Sequence, residues 1–371
     1  MEKFLSDICK IQYGYAFDSN KFSMDKGMPL IRIRDIVRGF SETYTTEKCD
    51  DEYIVQDGDI LIGMDGEFNI ACWKGGKAYL NQRVCRLIPN NDIDALYLFY
   101  FMPKALKAIE DKTPFVTVKH LSAKELNKII VPIPSLEEQK AISKTLNKIY
   151  NLIELRRQQL SKLDELIKSR FVEMFGDPVK NDMGWESKPL NEVCDGIGDG
   201  LHGTPVYDDD GEYPFINGNN LIDGKIVITP ATNMVSEEIY KKHLIDISTN
   251  AVLISINGTL GKLAFYSGEK VMLGKSACYC NLKQNINKVF VYWVMKNDSF
   301  AEFLESSSTK STIKNVGLKA MREYKLILPP TEQQNQFATF VEQIDKSKLS
   351  IQQSLEKLEA LKKSLMQQYF G

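Results

Sequence analysis

The sequence has no apolar run long enough to cross a membrane. Its longest, around Leu96 to Met102, stops well short of the roughly 20 residues a span requires, and the N-terminus lacks the basic-then-apolar pattern of an export signal. The expectation is a cytoplasmic chain without membrane contact. Nor does it contain a C-x-x-C pair. Its 7 cysteines (Cys9, Cys49, Cys72, Cys85, Cys194, Cys278 and Cys280) are scattered and odd in number, which excludes a disulfide framework and a zinc site and leaves buried free thiols. The 3 histidines, His120, His202 and His243, stand too far apart for ligand spacing, so no metal site is expected. An excess of positive charge is missing too: 47 Lys and Arg stand against 49 Asp and Glu, and no long segment is strongly basic. A chain this neutral binds a polyanion weakly on its own unless its cations gather on one face or a partner adds charge.

Catalytic signatures are also lacking. Gly268 to Ser276 resembles a phosphate-binding loop but has five residues between its glycines where that loop has four, and Glu269 stands where a glycine is required. Gly196-Ile-Gly198-Asp-Gly200 lacks the later glycine of a dinucleotide fingerprint. There is no Asn-Pro-Pro-aromatic methyltransferase motif and no paired-carboxylate nuclease motif.

What the chain does contain is a copy of itself. Thr117 to Gly176 matches Thr312 to Gly371 at a constant shift of 195. Thr117-Val118-Lys119 aligns with Thr312-Ile313-Lys314, Pro134 with Pro329, Gln139 with Gln334, and Phe175-Gly176 with Phe370-Gly371. Upstream the shift falls to 193 (Leu80 and Cys85 with Leu273 and Cys278), to 192 (Leu61-Ile62 and Gly66 with Leu253-Ile254 and Gly258) and to 185 (Leu5, Cys9 and Pro29 with Leu190, Cys194 and Pro214). Length changes confined to the upstream part indicate loops varying on a retained scaffold.

Each copy reads as a mixed head and a helical tail. The heads carry short β-patterned runs, among them Leu30 to Arg34, Ile60 to Met64, Val84 to Ile88, Pro214 to Asn217 and Val252 to Ile256, broken by Gly, Asn and Asp turns. One helix is expected in each, near Ile93 to Ile109 and Lys288 to Leu304. At 371 residues, with 43% apolar and 26% charged residues, two or more domains are expected. The boundaries read as 1–133 and 179–328 for the heads and 134–178 and 329–371 for the tails.

Capping boxes, Ser135-x-x-Glu138 and Thr331-x-x-Gln334, open the tails. In the first tail Ile142, Leu146, Ile149, Ile153, Arg156, Leu160, Leu163, Ile167, Arg170 and Met174 alternate steps of four and three, a coiled-coil seam with two charged breaks. Where one tail has a charge in the seam the other is apolar: Arg156 answers Ile351, Arg170 Leu365, Lys348 Ile153 and Lys362 Ile167. The expected fold is α+β: two mixed α/β heads separated by two long helices that pair antiparallel, related by a pseudo-twofold duplication. Each helix is a rod of roughly 60 Å, and Gly176 followed by Pro178 releases the chain into the second head.

Two similar heads about a dyad suit two half-sites on one face of a duplex. Had the heads been enzymes, shared catalytic residues would be expected; the shared residues are instead apolar, Gly, Pro and Thr, while polar positions diverge. Arg32 and Arg34, read as outward residues alternating with Ile31 and Ile33 on a strand, correspond to Asn217 and Asn219, and Asp65 and Glu67 to Asn257 and Thr259. Arginine suits guanine and asparagine suits adenine in the major groove, so different half-sites follow. Lys74, Lys77, Asn81, Gln82, Arg83 and Lys119 complete the candidate DNA contacts of the first head. His202, Thr204, Lys262, Lys275, Ser276 and Lys314 complete those of the second. Tyr13 and Tyr15 beside Gly14 read as core packing. Two rival readings stay open on residues alone: an interaction scaffold whose heads bind protein, and an enzyme built on the near phosphate loop.

At this point the residues resemble a known family. Asp199-Gly-Leu-His-Gly-Thr-Pro-Val-Tyr207, Tyr213-Pro-Phe-Ile-Asn-Gly-Asn-Asn-Leu221 and Ile254-Ser-Ile-Asn-Gly-Thr-Leu-Gly-Lys262 are similar to target recognition domains of type I restriction-modification specificity subunits. So are the two helix starts, Pro134-Ser-Leu-Glu-Glu-Gln139 and Pro329-Pro-Thr-Glu-Gln-Gln334. The resemblance spans essentially the whole chain. It implies a non-catalytic subunit that reads a bipartite, asymmetric double-stranded target with an unread spacer. It implies as partners two methyltransferase subunits held by the helical regions, and restriction/translocase subunits. S-adenosylmethionine, ATP and Mg would belong to those partners, with no cofactor on this chain. One departure is the segment around Trp185, which has almost no counterpart before Leu5; the first head's N-terminal edge is therefore expected to rest on the chain's C-terminal end.

If helix length sets the spacer, a heptad inserted in one tail keeps the seam in phase and shifts the heads by about 10 Å. Methylation mapping is expected to show a changed spacer; an unchanged one refutes the ruler.

Overall fold

A computed structural model describes residues 1–112 and 119–371; Thr117 and Val118, where the duplicated stretch begins, lie outside them. The chain forms two compact units, Met1–Arg157 with Gln353–Gly371, and Gln158–Gln352.

In the first unit an antiparallel sheet runs in the order Cys9–Tyr13, Val84–Pro89, Ile60–Gly63, Ile70–Cys72. Successive side chains of a strand point to opposite faces, and Ile60-Leu61-Ile62 shows the consequence. Ile60 and Ile62 join a core with Tyr97, Leu98 and Met102 of the helix Ala95–Lys112, while Leu61 joins one with Ile31, Ile36, Trp73 and Leu80. A second sheet orders Phe22–Ser23, Tyr44–Thr45, Met28–Ile31, Ala78–Leu80 and Ile54–Val55, with Met28–Ile31 and Ala78–Leu80 parallel. The N-terminal strand Glu2–Phe4 pairs with Ile130–Pro132. Phe370 packs edge-on against Tyr97 and Phe101 at 5.4 and 5.8 Å and shares the core that holds Leu5. Lys104 Nζ donates to the backbone oxygens of Phe370 and Gly371.

The second unit repeats this topology. Its antiparallel sheet runs Cys194–Asp199, Ala277–Leu282, Ala251–Ser255, Leu263–Tyr266, and a smaller sheet sets Tyr213–Ile216 parallel to Met272–Leu273. Val252 and Ile254 face one core and Leu253 the other. Glu186–Pro189 pairs with Lys325–Leu328 as its counterpart does in the first unit. Trp185 has its own task, donating from Nε1 to the Phe175 oxygen at 3.0 Å.

Five expectations need correction. The run Leu30 to Arg34 is not one strand: the strand ends at Ile31, and Arg32 caps a short helix, Ile33–Arg38. The cause is Asp35, whose buried carboxylate accepts from the Arg32 amide at 2.9 Å and turns the chain; Gly39, at φ 78°, ends the helix. Pro214 to Asn217 ends likewise at Ile216, with Asn220 accepting from the Asn217 amide at 2.9 Å. The expected helix from Lys288 is two, Lys288–Met295 and Asp298–Ser306, because Asn297 caps the second through the Ser299 amide at 3.3 Å. Of the capping boxes only Ser135 with Glu138 forms (2.9 and 3.3 Å). At the shift of 195 Pro330, not Thr331, occupies the place of Ser135; Thr331 begins the helix and its hydroxyl donates to Asn285. Finally, Cys49 and Cys72 are half-buried, whereas the other five thiols are buried; burial pushes Cys9 and Cys85 up to about 12, so they stay protonated.

The long helices, Leu136–Phe175 and Thr331–Phe370, have 40 residues each, and Gly176 at φ 71° closes the first. They pair antiparallel in both units. In the first, Arg157 Nη2 meets Glu359 at 2.8 Å and Lys362 Nζ lies 4.3 Å over the Tyr150 ring. In the second, Lys348 Nζ meets Asp164 at 2.7 Å and Phe171 packs on Phe337 at 5.5 Å. Of the charges that interrupt the seam, Lys348 and Lys362 therefore have partners across it, and Arg170 lies 6.0 Å over the Phe340 ring. Each helix start is tied to its head by a buried glutamine. Gln139 accepts from the Asp94 amide (2.8 Å) and donates to Pro134 and Asp92 (3.0 and 3.2 Å). Gln334 accepts from Asn287 (2.9 Å) and donates to Pro329 (2.8 Å). Gln334→Ala strands the Asn287 amide, and a loss of about 1–3 kcal/mol is expected in chemical denaturation of the full chain; a change below about 0.5 kcal/mol would mean the tie is dispensable.

Candidate nucleic-acid interface

The parallel strand pair decides where polar residues emerge. In the first head Ile31 and Leu80 are partners at the C-terminal ends of their strands, so the residues that follow, Arg32 and Asn81, leave the sheet side by side. Tyr15 donates its amide to Leu80 at 2.9 Å, and a Cβ on Gly14 would meet the Asn81 oxygen at 2.0 Å, so the glycine is required by the close approach. Tyr15 packs on Phe17 and Tyr53 (4.8 and 5.5 Å) but is 37% exposed, so it lies at the surface of the head and not in its core as expected. A third segment arrives through the Met64 amide, which donates to Arg83 at 3.0 Å, and a fourth through Leu121 and Gly66, bonded to Met64 and Lys119 at 2.7 and 2.9 Å.

Arg32, Asp65, Glu67, Asn81, Gln82 and Arg83 thus gather at one end of the first head. Arg34 lies on the first turn of the short helix, where Nη2 donates to Thr43 (3.3 Å) and Nε faces Asp35 at 3.7 Å. Since the Asp35 side chain is 0% exposed, Arg34 is its counter-charge. Lys119 Nζ is tied to Glu110, its oxygen at 2.9 Å and its carboxylate at 3.4 Å. Lys74 and Lys77 are exposed but precede Ala78–Leu80 and sit at the other end of that strand from Asn81. Gly75 of their turn packs near the Gly39 oxygen. The structure does not bring these two lysines to the cluster.

The second head builds the same end from different side chains. Asn217 Oδ1 accepts from Ser276 Oγ (3.1 Å), which itself accepts from the Gly218 amide (2.8 Å), so these two hold the turn together. Lys262 Nζ donates to Asn219 at 3.2 Å. Asn257 Nδ2 donates to Asn315 at 3.0 Å, and the Gly258 amide to Lys314 at 2.9 Å. The Lys275 amide donates to Leu201 at 3.0 Å, which brings the loop of His202 and Thr204 alongside, and His202 Nε2 pairs with Asp199 at 2.8 Å. Lys314 pairs with Glu305 as Lys119 does with Glu110. Asn219, Thr259, Lys275, His202 and Thr204 are exposed. The near phosphate loop offers no cradle: Met272–Leu273 is strand, and the Gly274 amide is spent on Ile216 at 2.8 Å.

Two residues at these ends were not among the sequence candidates. His120 Nδ1 meets Asp65 at 2.6 Å, and Asn315 meets Asn257, each across an isolated antiparallel bridge. His120 reads as structural by sequence, yet it stands 195 positions before Asn315, directly after the aligned lysines; that shared register was the available signal. Among the described residues no group of three or more His, Cys, Asp or Glu is placed to hold a metal, and no helix is long and apolar enough to cross a membrane.

Comparison with known proteins gives the following. A family model described as "Type I restriction modification DNA specificity domain" matches residues 1–165 and again 183–362. The chain is 25% identical to the type I restriction enzyme EcoBI specificity subunit of Escherichia coli, over 99% of this chain and 84% of that protein. It is 23% identical to the MjaVIII specificity subunit of Methanocaldococcus jannaschii, over 85% and 79%. In fold it matches the type I restriction-modification S subunit from M. genitalium with a TM-score of 0.63 at 14% identity, covering 99% of this chain and 94% of that one. A chain from a structure of a type I R-M system matches at 0.54 and 16% identity, covering 100% and 97%.

Arg34→Ala removes the counter-charge of the buried Asp35 carboxylate and, with the arginine itself half exposed, is expected to destabilise the full chain by about 1–2 kcal/mol. Arg32→Ala, at an exposed position, is expected to change stability by less than about 0.5 kcal/mol. Equal denaturation midpoints for the two would refute the division of roles.

Proposed function

The chain belongs to the type I restriction-modification DNA specificity family, and on that premise we propose that the clustered loop end of each head reads one half of a bipartite, asymmetric target. As a specificity subunit the chain recognises DNA and contributes no catalytic step. The observation that carries the reading is a common scaffold end with opposite decoration: Arg32, Asp65 and Arg83 in one head stand where Asn217, Asn257 and Ser276 stand in the other. A scaffold binding the same ligand twice has no need of that difference, whereas two unlike half-sites require it.

In this proposal the exposed Arg32, Glu67, Gln82 and Arg83 and the half-buried Asn81 face DNA in the first head, and Asn219, Thr259, Lys275, His202 and Thr204 in the second. Arg34, Asn217 and Ser276 hold the turns that carry them, and Lys74 and Lys77 are reserved for flanking phosphates. The domain boundaries are those read from the sequence, heads at 1–133 and 179–328 and helices at 134–178 and 329–371. Two methyltransferase subunits dock on the helices, with restriction/translocase subunits joining them; S-adenosylmethionine, ATP and Mg bind those partners. Apolar residues outside the seam support the docking: Leu152, Leu155 and Leu361 in the first unit and Leu166, Val172 and Leu349 in the second are 44–57% exposed. The complex works on cellular DNA in the cytoplasm.

The test is sequence-resolved binding and methylation by the complex with its methyltransferase. Asn219→Ala with Thr259→Ala is expected to relax one half-site only, at about 1–3 kcal/mol per lost contact. Equal loss at both half-sites, or a mobility shift indifferent to sequence, would refute the reading.

A further inference from the structure

Two charged side chains and a histidine, from three segments, meet at the loop end of the first head. Asp65 lies on the loop after Ile60–Gly63, Arg83 on the turn after Ala78–Leu80, and His120 on the stretch leading to Ala123–Asn127. Both oxygens of Asp65 are engaged: Oδ2 by Arg83 Nε at 3.4 Å and Oδ1 by His120 Nδ1 at 2.6 Å. The Arg83 side chain is nevertheless 54% exposed, and among the described residues its two terminal nitrogens meet no acceptor. The ion pair turns the Nε side of the guanidinium toward Asp65 and leaves the Nη pair facing outward, as a fork for two acceptors in one plane. In the major groove that pattern is O6 and N7 of guanine.

From this geometry we infer that Arg83 reads a guanine in the half-site of the first head, and that Asp65 and His120 are positioning residues that fix its fork. The inference rests on reading the heads as DNA-contacting modules and adds the base and the mechanism of orientation. Asp65 is thereby reassigned from reading a base to orienting Arg83, since each of its oxygens faces a neighbouring side chain of the protein. The second head has no such device. Ser276 stands in place of Arg83 with its hydroxyl given to Asn217, and the bridge is the neutral pair Asn257 and Asn315. The two half-sites therefore differ at this position by construction.

The experiment uses the full chain assembled with its methyltransferase and maps methylated sites at base resolution over many sequences. The wild type is expected to require guanine at one position of one half-site. Arg83→Gln is expected to lower discrimination at that position alone by roughly ten- to hundredfold. Arg83→Lys, which keeps the charge and loses the fork, is expected to do the same. Asp65→Asn and His120→Asn are expected to relax the same position more weakly while the other positions hold, a pattern that general unfolding does not produce. If the Arg83 variants fail to assemble, His120→Asn carries the test by itself, and an unrelaxed position there counts against the inference. A loss of affinity uniform across sequences, with the salt slope reduced by about one, would make Arg83 a phosphate contact and overturn it. So would a half-site whose guanine survives Arg83→Lys intact. A wild-type complex that methylates without any sequence requirement would instead overturn the DNA-reading premise, which none of the Arg83 outcomes touches.

Discussion

A buried side-chain amide at the start of each long helix is the constraint on which the arrangement within each unit depends. Gln139 and Gln334 are each 1% exposed, and each satisfies backbone groups of the connection between head and helix. An amide out of water is tolerated only when its donors and acceptor are used, and it then admits few other geometries. The apolar contacts around it, among them Phe171, Phe175, Phe290 and Phe337, are non-directional and discriminate less between rotations of the helix. The glutamine selects one. Both copies retain it while the neighbouring cap has changed from Ser135 to Pro330, so in this chain the cap is replaceable where the tie has been kept.

With helix and head fixed, the parallel pairing of two short strands delivers the functional end. Strands that run the same way end at the same edge, so two chain segments emerge there together, and a glycine that nearly touches the second of them (Gly14 or Gly200) brings in a third. Main-chain bonds do this work. The Gly66 amide reaches Lys119 at 2.9 Å and the Gly258 amide reaches Lys314 at 2.9 Å, the same link in both heads. A loop held by its own backbone leaves its side chains free to diverge. That is how one scaffold carries an Arg-Asp-His cluster in one copy and an amide pair in the other without a change of topology.

The duplication was fully legible in the sequence, and with it the two heads, the seam positions and the paired helices, because burial imposes periods that survive substitution. Local capping was less so. Nothing in Leu30 to Arg34 distinguishes an alternating strand from a strand end followed by a helix; the deciding atom is the Asp35 carboxylate, four residues on from Ile31, folded back to the Arg32 amide. The second capping box failed for a related reason, since Thr331 and Gln334 have the right spacing one residue out of the repeat's register. At the candidate interface the loops were found but not their internal loyalties. Arg34 serves Asp35, Asn217 serves Ser276, and His120, passed over as structural, holds Asp65. Pairings between residues distant in sequence depend on the tertiary fold, and the only trace they left was that both partners shift together between copies.

The charge balance bears on how such a protein reads DNA at all. With 47 basic against 49 acidic residues, attraction to the phosphate backbone is small, and several cations near the loop ends are already committed: Lys119 to Glu110, Lys314 to Glu305, Arg34 to Asp35. A reader with a strongly basic face binds every duplex well and must find its target against that background. A nearly neutral reader contributes mainly the difference between right and wrong bases. Neutral heads are thus no obstacle to recognition, because discrimination between bases does not need a large general attraction to phosphate.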